Sequence, residues 1–378
     1  MRVNLKLKSL KHVAFDACFQ LRNGLHKYRR AFVGTFILIT LAGCFYSTRT
    51  WQVEERQGPN WRNEPSSCPN WRNSLWSRID EHRSNVLMEK YRRLYSIEKN
   101  ITSCGGAFSQ EFLPPITCPN VDMFDLLNED TLLRLLQNKT VSFIGDSMNT
   151  FFYSSFAQRL KRFRVKNDSW SKSMDGGLGW NSAYTNGMKV MCRWIVGSKT
   201  NPRDNNRYWF ADSFEESKMF LESDIMIVNV GAHSGQRDSL KKSMFEWASI
   251  FTKFRGIIIW KEYEAVHFPT VTGEYGKNTL KLLTKNNCLN ALNDTQISQK
   301  EVWWRRDLPM KMLRKWCSAS SCRLKIMKIF DLQISTGVQH PGGARGDCRH
   351  FCEESPMREI QLLALRDVLE ELEKEQKL

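Results

Sequence analysis

TVSFIGDSMNT, residues 140–150, carries an apolar run that stops on Gly-Asp-Ser and passes directly into a segment of helical spacing. Val141, Phe143 and Ile144 read as a buried strand. Phe152, Phe156, Leu160 and Phe163 in MNTFFYSSFAQRLKRF (148–163) read as the helix that follows. Gly145 permits a tight turn between the two, and Asp146 suits the cap of the helix. Ser147 then stands at a helix N-terminus, where backbone N–H groups favour negative charge.

The same texture continues outward. DLLNEDTLLRLLQN (125–138) predicts an amphipathic helix before that strand. SDIMIVNVGAH (223–233), RGIIIWKEY (255–263) and RLKIMKIFDL (323–332) predict three further strands, with a helix over SLKKSMFEWASIFTKF (239–254). Ser355 and Pro356 open a last helix, with Ile360, Leu363, Leu365, Leu369 and Leu372 on its apolar side. Short β-branched runs separated by amphipathic helices predict an α/β fold of three layers, a mainly parallel sheet flanked by helices. In such sheets function gathers at the carboxyl ends of the strands, which is where Ser147 falls.

A serine at that position needs a base. Of the 7 histidines, His350 stands in GDCRHFC, three residues after Asp347 and just ahead of the last helix. That spacing lets the carboxylate orient the imidazole, so one short loop supplies both base and orienter. Asn229, ending its strand, is the candidate side-chain donor for an oxyanion, beside the N–H of Ser147; Gly176 or Gly177 in MDGGLGW is the candidate glycine donor. Gly-Asp-Ser alone is equally at home in an ordinary strand-to-helix turn. What favours chemistry is the order: Gly-Asp-Ser after the first strand, Asn after a later one, and Asp-x-x-His before the final helix.

The remaining features concern placement. Among 378 residues the formal net charge is +16, of which about +7 lies in residues 1–30. AFVGTFILITLAGCFY (31–46) follows KYRR without a single charge. It predicts a signal anchor over 31–48, favoured over a cleaved signal because the basic segment before it is long. The chain thus divides into a cytosolic basic tail (1–30), the transmembrane anchor (31–48), a lumenal stem (49–115) and a catalytic domain (116–378). Within the stem, residues 74–100 have helical spacing that suits either packing on the body or extending the stem. Nine of the 11 cysteines lie beyond the apolar run, with no CxxC pair, and sequons occur at Asn100, Asn138, Asn167 and Asn293. Both features predict disulfides and glycosylation in an oxidising lumen, and the span length points to the Golgi membrane. No metal and no bound cofactor are expected. Nucleic acid is excluded as a partner, since the positive charge lies behind a membrane and no recognition module is present.

Four blocks resemble the SGNH/GDSL hydrolase superfamily, in its PC-esterase branch, and within it the trichome birefringence-like polysaccharide O-acetyltransferases. They are CPNVDMFDLLNEDTLLRLLQNKTVSFIGDSM, SDIMIVNVGAH, IIIWKEYEAVHFPT and GDCRHFCEESPMREIQLLAL, together spanning about residues 118–370. The family's Arg-Pro-Asp and Trp-Arg-Trp signatures are absent, and Lys261 stands where the family has Arg, which marks a divergent member. The resemblance implies an SGNH-type fold with Ser147 as nucleophile, His350 as base, Asp347 as orienter and Asn229 as oxyanion donor. It further implies transfer of acetyl from a donor such as acetyl-CoA to a polysaccharide or other glycan, with Asp146, Gly231, Lys261 and His267 near the acceptor. The same residues would serve a carbohydrate O-acetyl esterase, and a non-catalytic glycan-binding protein is the remaining alternative.

Overall fold

The computed structural model describes residues 71–73, 75–78, 80–95, 110–113, 124, 126–172, 178–194, 221–232, 234, 236–270, 288–289, 292–293, 304–318, 322–340, 347–352, 355–375 and 378. All belong to one compact unit, Glu64–Leu378. The expected tail and membrane span lie outside these residues, as do Gly176, Gly177, Asn100, Cys68, Cys104 and Cys118. Among the described residues no helix is long and apolar enough to cross a membrane.

β1 (Leu75–Arg78) and β2 (Gln110–Leu113) form a separate antiparallel pair. The main sheet has seven strands: β3 (Thr140–Gly145), β4 (Arg164–Lys172), β5 (Leu178–Tyr184), β6 (Lys189–Trp194), β7 (Ile225–Asn229), β8 (Ile257–Lys261) and β9 (Arg323–Met327). Their order is β4-β5-β6-β3-β7-β8-β9. From β6 to β9 every pairing is parallel, whereas β4-β5 and β5-β6 are antiparallel.

Among the described residues the helices are α1 (Glu81–Tyr95), α2 (Glu129–Leu135), α3 (Ser147–Arg159), α4 (Arg237–Phe251), α5 (Trp304–Ser318), the short α6 (Phe330–Gln333) and α7 (Pro356–Lys374). Side chains alternate across the central strands, which divides the core in two. Val141, Phe143, Ile225, Ile227, Ile257 and Ile259 face a core shared with α1, α2, α3 and α7. Ile144, Met226, Val228, Ile258 and Trp260 face the opposite side, where Leu240, Met244 and Trp247 of α4 and Leu313 of α5 cover them. Both sheet faces are buried, which is why β7 and β8 read as unbroken apolar runs.

Of the described strands of the sheet, β3, β7, β8 and β9 are expected from the sequence, and β4, β5 and β6 are not. β4, β5 and β6 mix polar with apolar residues (RVKNDSWSK, LGWNSAY, KVMCRW) and form an antiparallel meander at one edge, so no continuous run announces them. The sequence also gives no sign of α5, whose pattern is interrupted by Pro309. The helix expected from residue 74 starts at Glu81, because 75–78 pairs with β2; the Asp80 side chain accepts from Arg83 N–H at 2.7 Å and caps it. That helix packs on the body: Leu87 and Tyr91, with Trp71 ahead of them, are buried in the core shared with α7. The Trp71 indole donates to the Asp367 carboxylate of α7 at 2.9 Å. Strand character in 323–332 ends at Met327, and α6 follows.

Candidate active site

The turn from β3 into α3 is forced into shape by its neighbour β7. Gly145 has φ +153°, and a Cβ there would lie 1.8 Å from the carbonyl oxygen of Asn229, so only glycine fits. Asp146 N–H donates to that same oxygen at 3.2 Å. The Asp146 carboxylate caps α3 by accepting from Met148 N–H at 3.1 Å, and its second oxygen accepts from Ala232 N–H at 2.9 Å. Ser147 is thereby fixed as the first residue of α3, at the carboxyl end of the sheet. Its own N–H belongs to the first helical turn, where backbone donors lack intrahelical acceptors.

The loop before α7 brings the other two groups. His350 Nε2 lies 2.7 Å from Ser147 Oγ, and His350 Nδ1 lies 2.8 Å from Asp347 Oδ2. The second Asp347 oxygen accepts from Arg349 N–H at 3.0 Å and His350 N–H at 3.1 Å, which holds the loop in a tight turn. Burial acts to raise the Asp347 pKa, but its hydrogen bonds and the neighbouring imidazole outweigh it and hold the carboxyl down to about 2. An ionised carboxylate only accepts, so Nδ1 carries the proton and Nε2 is left to accept from the serine hydroxyl. A hydroxyl, an acceptor imidazole and an orienting carboxylate in this order are what deprotonation of the hydroxyl requires. Phe151, one turn beyond Ser147, covers the imidazole at 5.2 Å between ring centroids.

Several contacts pin this loop. Cys348 is disulfide-bonded to Cys288, and its carbonyl accepts from His267 N–H at 2.9 Å. Arg349 Nη1 donates to the Ala232 carbonyl at 2.6 Å, tying the loop to the segment after β7. Arg358 Nη2 donates to the Phe351 carbonyl at 2.7 Å. Behind the loop lies a wholly buried charge cluster, in which Lys261 Nζ donates to Glu264 and Arg358 stands 3.7 Å from the other Glu264 oxygen. Burial lowers the Lys261 pKa against the pull of Glu264. In Glu264, burial is outweighed by the two cations, which hold its carboxyl below the usual range.

The structure therefore brings Ser147, Asp347 and His350 into one hydrogen-bonded chain, and it corrects the roles expected for other residues. Asn229 is fully buried, and its Nδ2 donates to the carbonyls of Lys261 at 3.0 Å and Glu262 at 3.3 Å. Those carbonyls at the end of β8 use the amide as a strand clamp, so it is not aimed at an oxyanion beside Ser147. Lys261 and His267 are both fully buried and engaged with other protein groups, so neither side chain is open to a glycan. Asp146 is consumed by two backbone N–H groups, and Gly231 is a buried turn residue with φ +129°. The glycine donor expected at 177 lies outside the described residues. Sequence reasoning missed His340 and Glu264, which have no motif of their own; their burial beneath the loop is a property of the fold.

No protein-family model matches the chain, and no curated protein matches it. Among solved structures, it is similar to a catalytic mutant of an acetylxylan esterase from Geobacillus stearothermophilus. The two share 13% sequence identity with a TM-score of 0.33, over 61% of this chain and 94% of the other. A likeness that distant has no bearing on activity.

Proposed function

We propose that this chain is a serine acyltransferase of SGNH type, anchored in the Golgi membrane with its catalytic domain in the lumen. The observation that carries the reading is the Ser147–His350–Asp347 hydrogen-bond chain, at 2.7 and 2.8 Å, at the carboxyl end of a mainly parallel sheet. His350 Nε2 takes the Ser147 proton as Oγ attacks the acyl carbonyl of the donor. Negative charge on the carbonyl oxygen is met by the Ser147 N–H at the start of α3, and the leaving group departs with the proton from His350. The acetyl-serine then passes its acyl group to a glycan hydroxyl, deprotonated by the same imidazole.

The preference for transfer over hydrolysis rests on the sequence resemblance, since both reactions use the same residues. The lumenal placement is supported by the disulfides Cys288–Cys348 and Cys317–Cys322, and by exposed sequon asparagines at 138 and 293. The test is to give the purified full-length protein labelled acetyl-CoA, with and without xylan- and pectin-derived oligosaccharides. Label in the oligosaccharide that disappears in Ser147→Ala is expected. Serine-dependent release of free acetate at a rate indifferent to oligosaccharide would make the protein an esterase, and no serine-dependent reaction of either kind would end the reading.

A further inference from the structure

Beneath the His350 loop lie two more histidines that the chemistry above leaves unused. His267 is fully buried and His340 is 4% exposed. They form one line of contacts: Ile334 O to His267 Nε2 at 3.1 Å, His267 Nδ1 to His340 Nε2 at 2.8 Å, and His340 Nδ1 to His350 O at 2.7 Å. The His340 ring also stacks on Phe351, at 4.2 Å and 23°. Gly337 makes the approach possible, because a Cβ there would stand 1.5 Å from the Leu289 carbonyl oxygen and 3.0 Å from the His267 ring.

Counting protons decides how this line works. Both ends are carbonyl oxygens, which only accept, so three hydrogen bonds across the line would need three ring protons. Burial pushes the His267 pKa down to about 4 and that of His340 well below its ordinary value; for His340 the nearness of His267 adds to this, and the His350 carbonyl and Asp347 oppose it. At neutral pH the two rings thus hold two protons between them, and one contact must do without. The Ile334 carbonyl already accepts from Leu292 N–H at 2.9 Å, whereas the donor the structure gives the His350 carbonyl is His340. Of the three contacts, the one to Ile334 is also the longest.

From this geometry we infer that His267 and His340 are positioning residues with fixed tautomers: His267 donates from Nδ1 to His340 Nε2, and His340 donates from Nδ1 to the His350 carbonyl. The relay holds the backbone of the base where its Nε2 meets Ser147. It acts through His350, touches no substrate, and rests on the reading of Ser147 and His350 as reactive groups. The His350 carbonyl, which only accepts, sets the proton on His340 Nδ1, and the bare Nε2 that results takes the proton of His267 Nδ1.

The test combines kinetics with nitrogen chemical shifts. His340→Phe keeps the stacked ring but leaves the His350 carbonyl without its donor; His340→Asn restores an N–H near the Nδ1 position. The expected result is a kcat about 10- to 100-fold lower in His340→Phe with KM little changed, and partial recovery in His340→Asn. In 15N-histidine-labelled wild type, His340 is expected to be protonated at Nδ1 and bare at Nε2. A kcat for folded His340→Phe close to that of wild type, or Asn no better than Phe, would overturn the positioning role. Should both variants fold poorly, the shifts alone decide: a proton on His340 Nε2 with Nδ1 bare would overturn the relay. A wild type with no Ser147-dependent turnover would instead sink the proposed function, and the shifts would still report on the relay.

Discussion

Asp347→Asn is the substitution whose cost follows most directly from the geometry. The carboxylate accepts from His350 Nδ1 at 2.8 Å, Arg349 N–H at 3.0 Å and His350 N–H at 3.1 Å. These bonds hold its pKa at about 2 against an ordinary 3.8. The difference corresponds to roughly 2 kcal/mol of folding free energy, and a side chain 29% exposed keeps most of it from solvent screening. The folded pKa lies below the unfolded one, so this stability is complete above the unfolded value and is lost as pH falls through about 2. Urea unfolding at pH 7 should find the Asn variant less stable by roughly that amount, with the gap closing progressively as the buffer is taken toward pH 2. Turnover should fall by about 10³- to 10⁴-fold, because an amide opposite Nδ1 no longer selects the tautomer that leaves Nε2 free to accept. Equal stability at pH 7 together with near-normal turnover would refute this reasoning, and so would a gap that widens in acid.

Other substitutions separate structural from chemical roles. Gly145→Ala should fail to give soluble protein or lose more than about 4 kcal/mol in urea unfolding, since its Cβ would stand 1.8 Å from the Asn229 carbonyl oxygen in a backbone conformation that favours glycine. Asn229→Ala should cost about 1–3 kcal/mol by thermal or urea unfolding, because two carbonyls at the end of β8 lose their donor, while kcat in the folded fraction stays within about tenfold; a 10²- to 10³-fold loss of kcat at unchanged stability would instead make it an oxyanion donor. Lys261→Met should destabilise by about 3–5 kcal/mol, since it leaves Glu264 buried with only the more distant Arg358 for charge compensation.

How far the sequence carries depends on whether a feature is local. β3, β7 and β8 are legible because strands covered on both faces consist almost wholly of apolar residues; β9, at the sheet edge, keeps only Leu324, Ile326 and Met327 of that signal beside two basic residues. β4 to β6 are not legible, because an edge meander needs no such run and is defined by its pairing partners. Ser147 stands out because the turn that presents it is written in three consecutive residues, and Asp347 and His350 because they share a single turn. Asn229 is placed at a strand end as the sequence suggests, but its amide nitrogen donates to backbone carbonyls of the neighbouring strand end. Which way its amide points is decided by carbonyls of Lys261 and Glu262, more than thirty residues on. For Lys261 and His267 it is the family resemblance that implies a place near the acceptor. Their burial depends on α7 and on the segment 334–340 closing over them, which no spacing in the sequence reveals.

The central claim is that Ser147 carries the acyl group. Full-length protein mixed with acetyl-CoA, quenched in acid and digested should yield the peptide containing Ser147 with one added acetyl group, and Ser147→Ala should yield none. Transfer or hydrolysis that proceeds without such an adduct, or with the acetyl group on another residue, would contradict it.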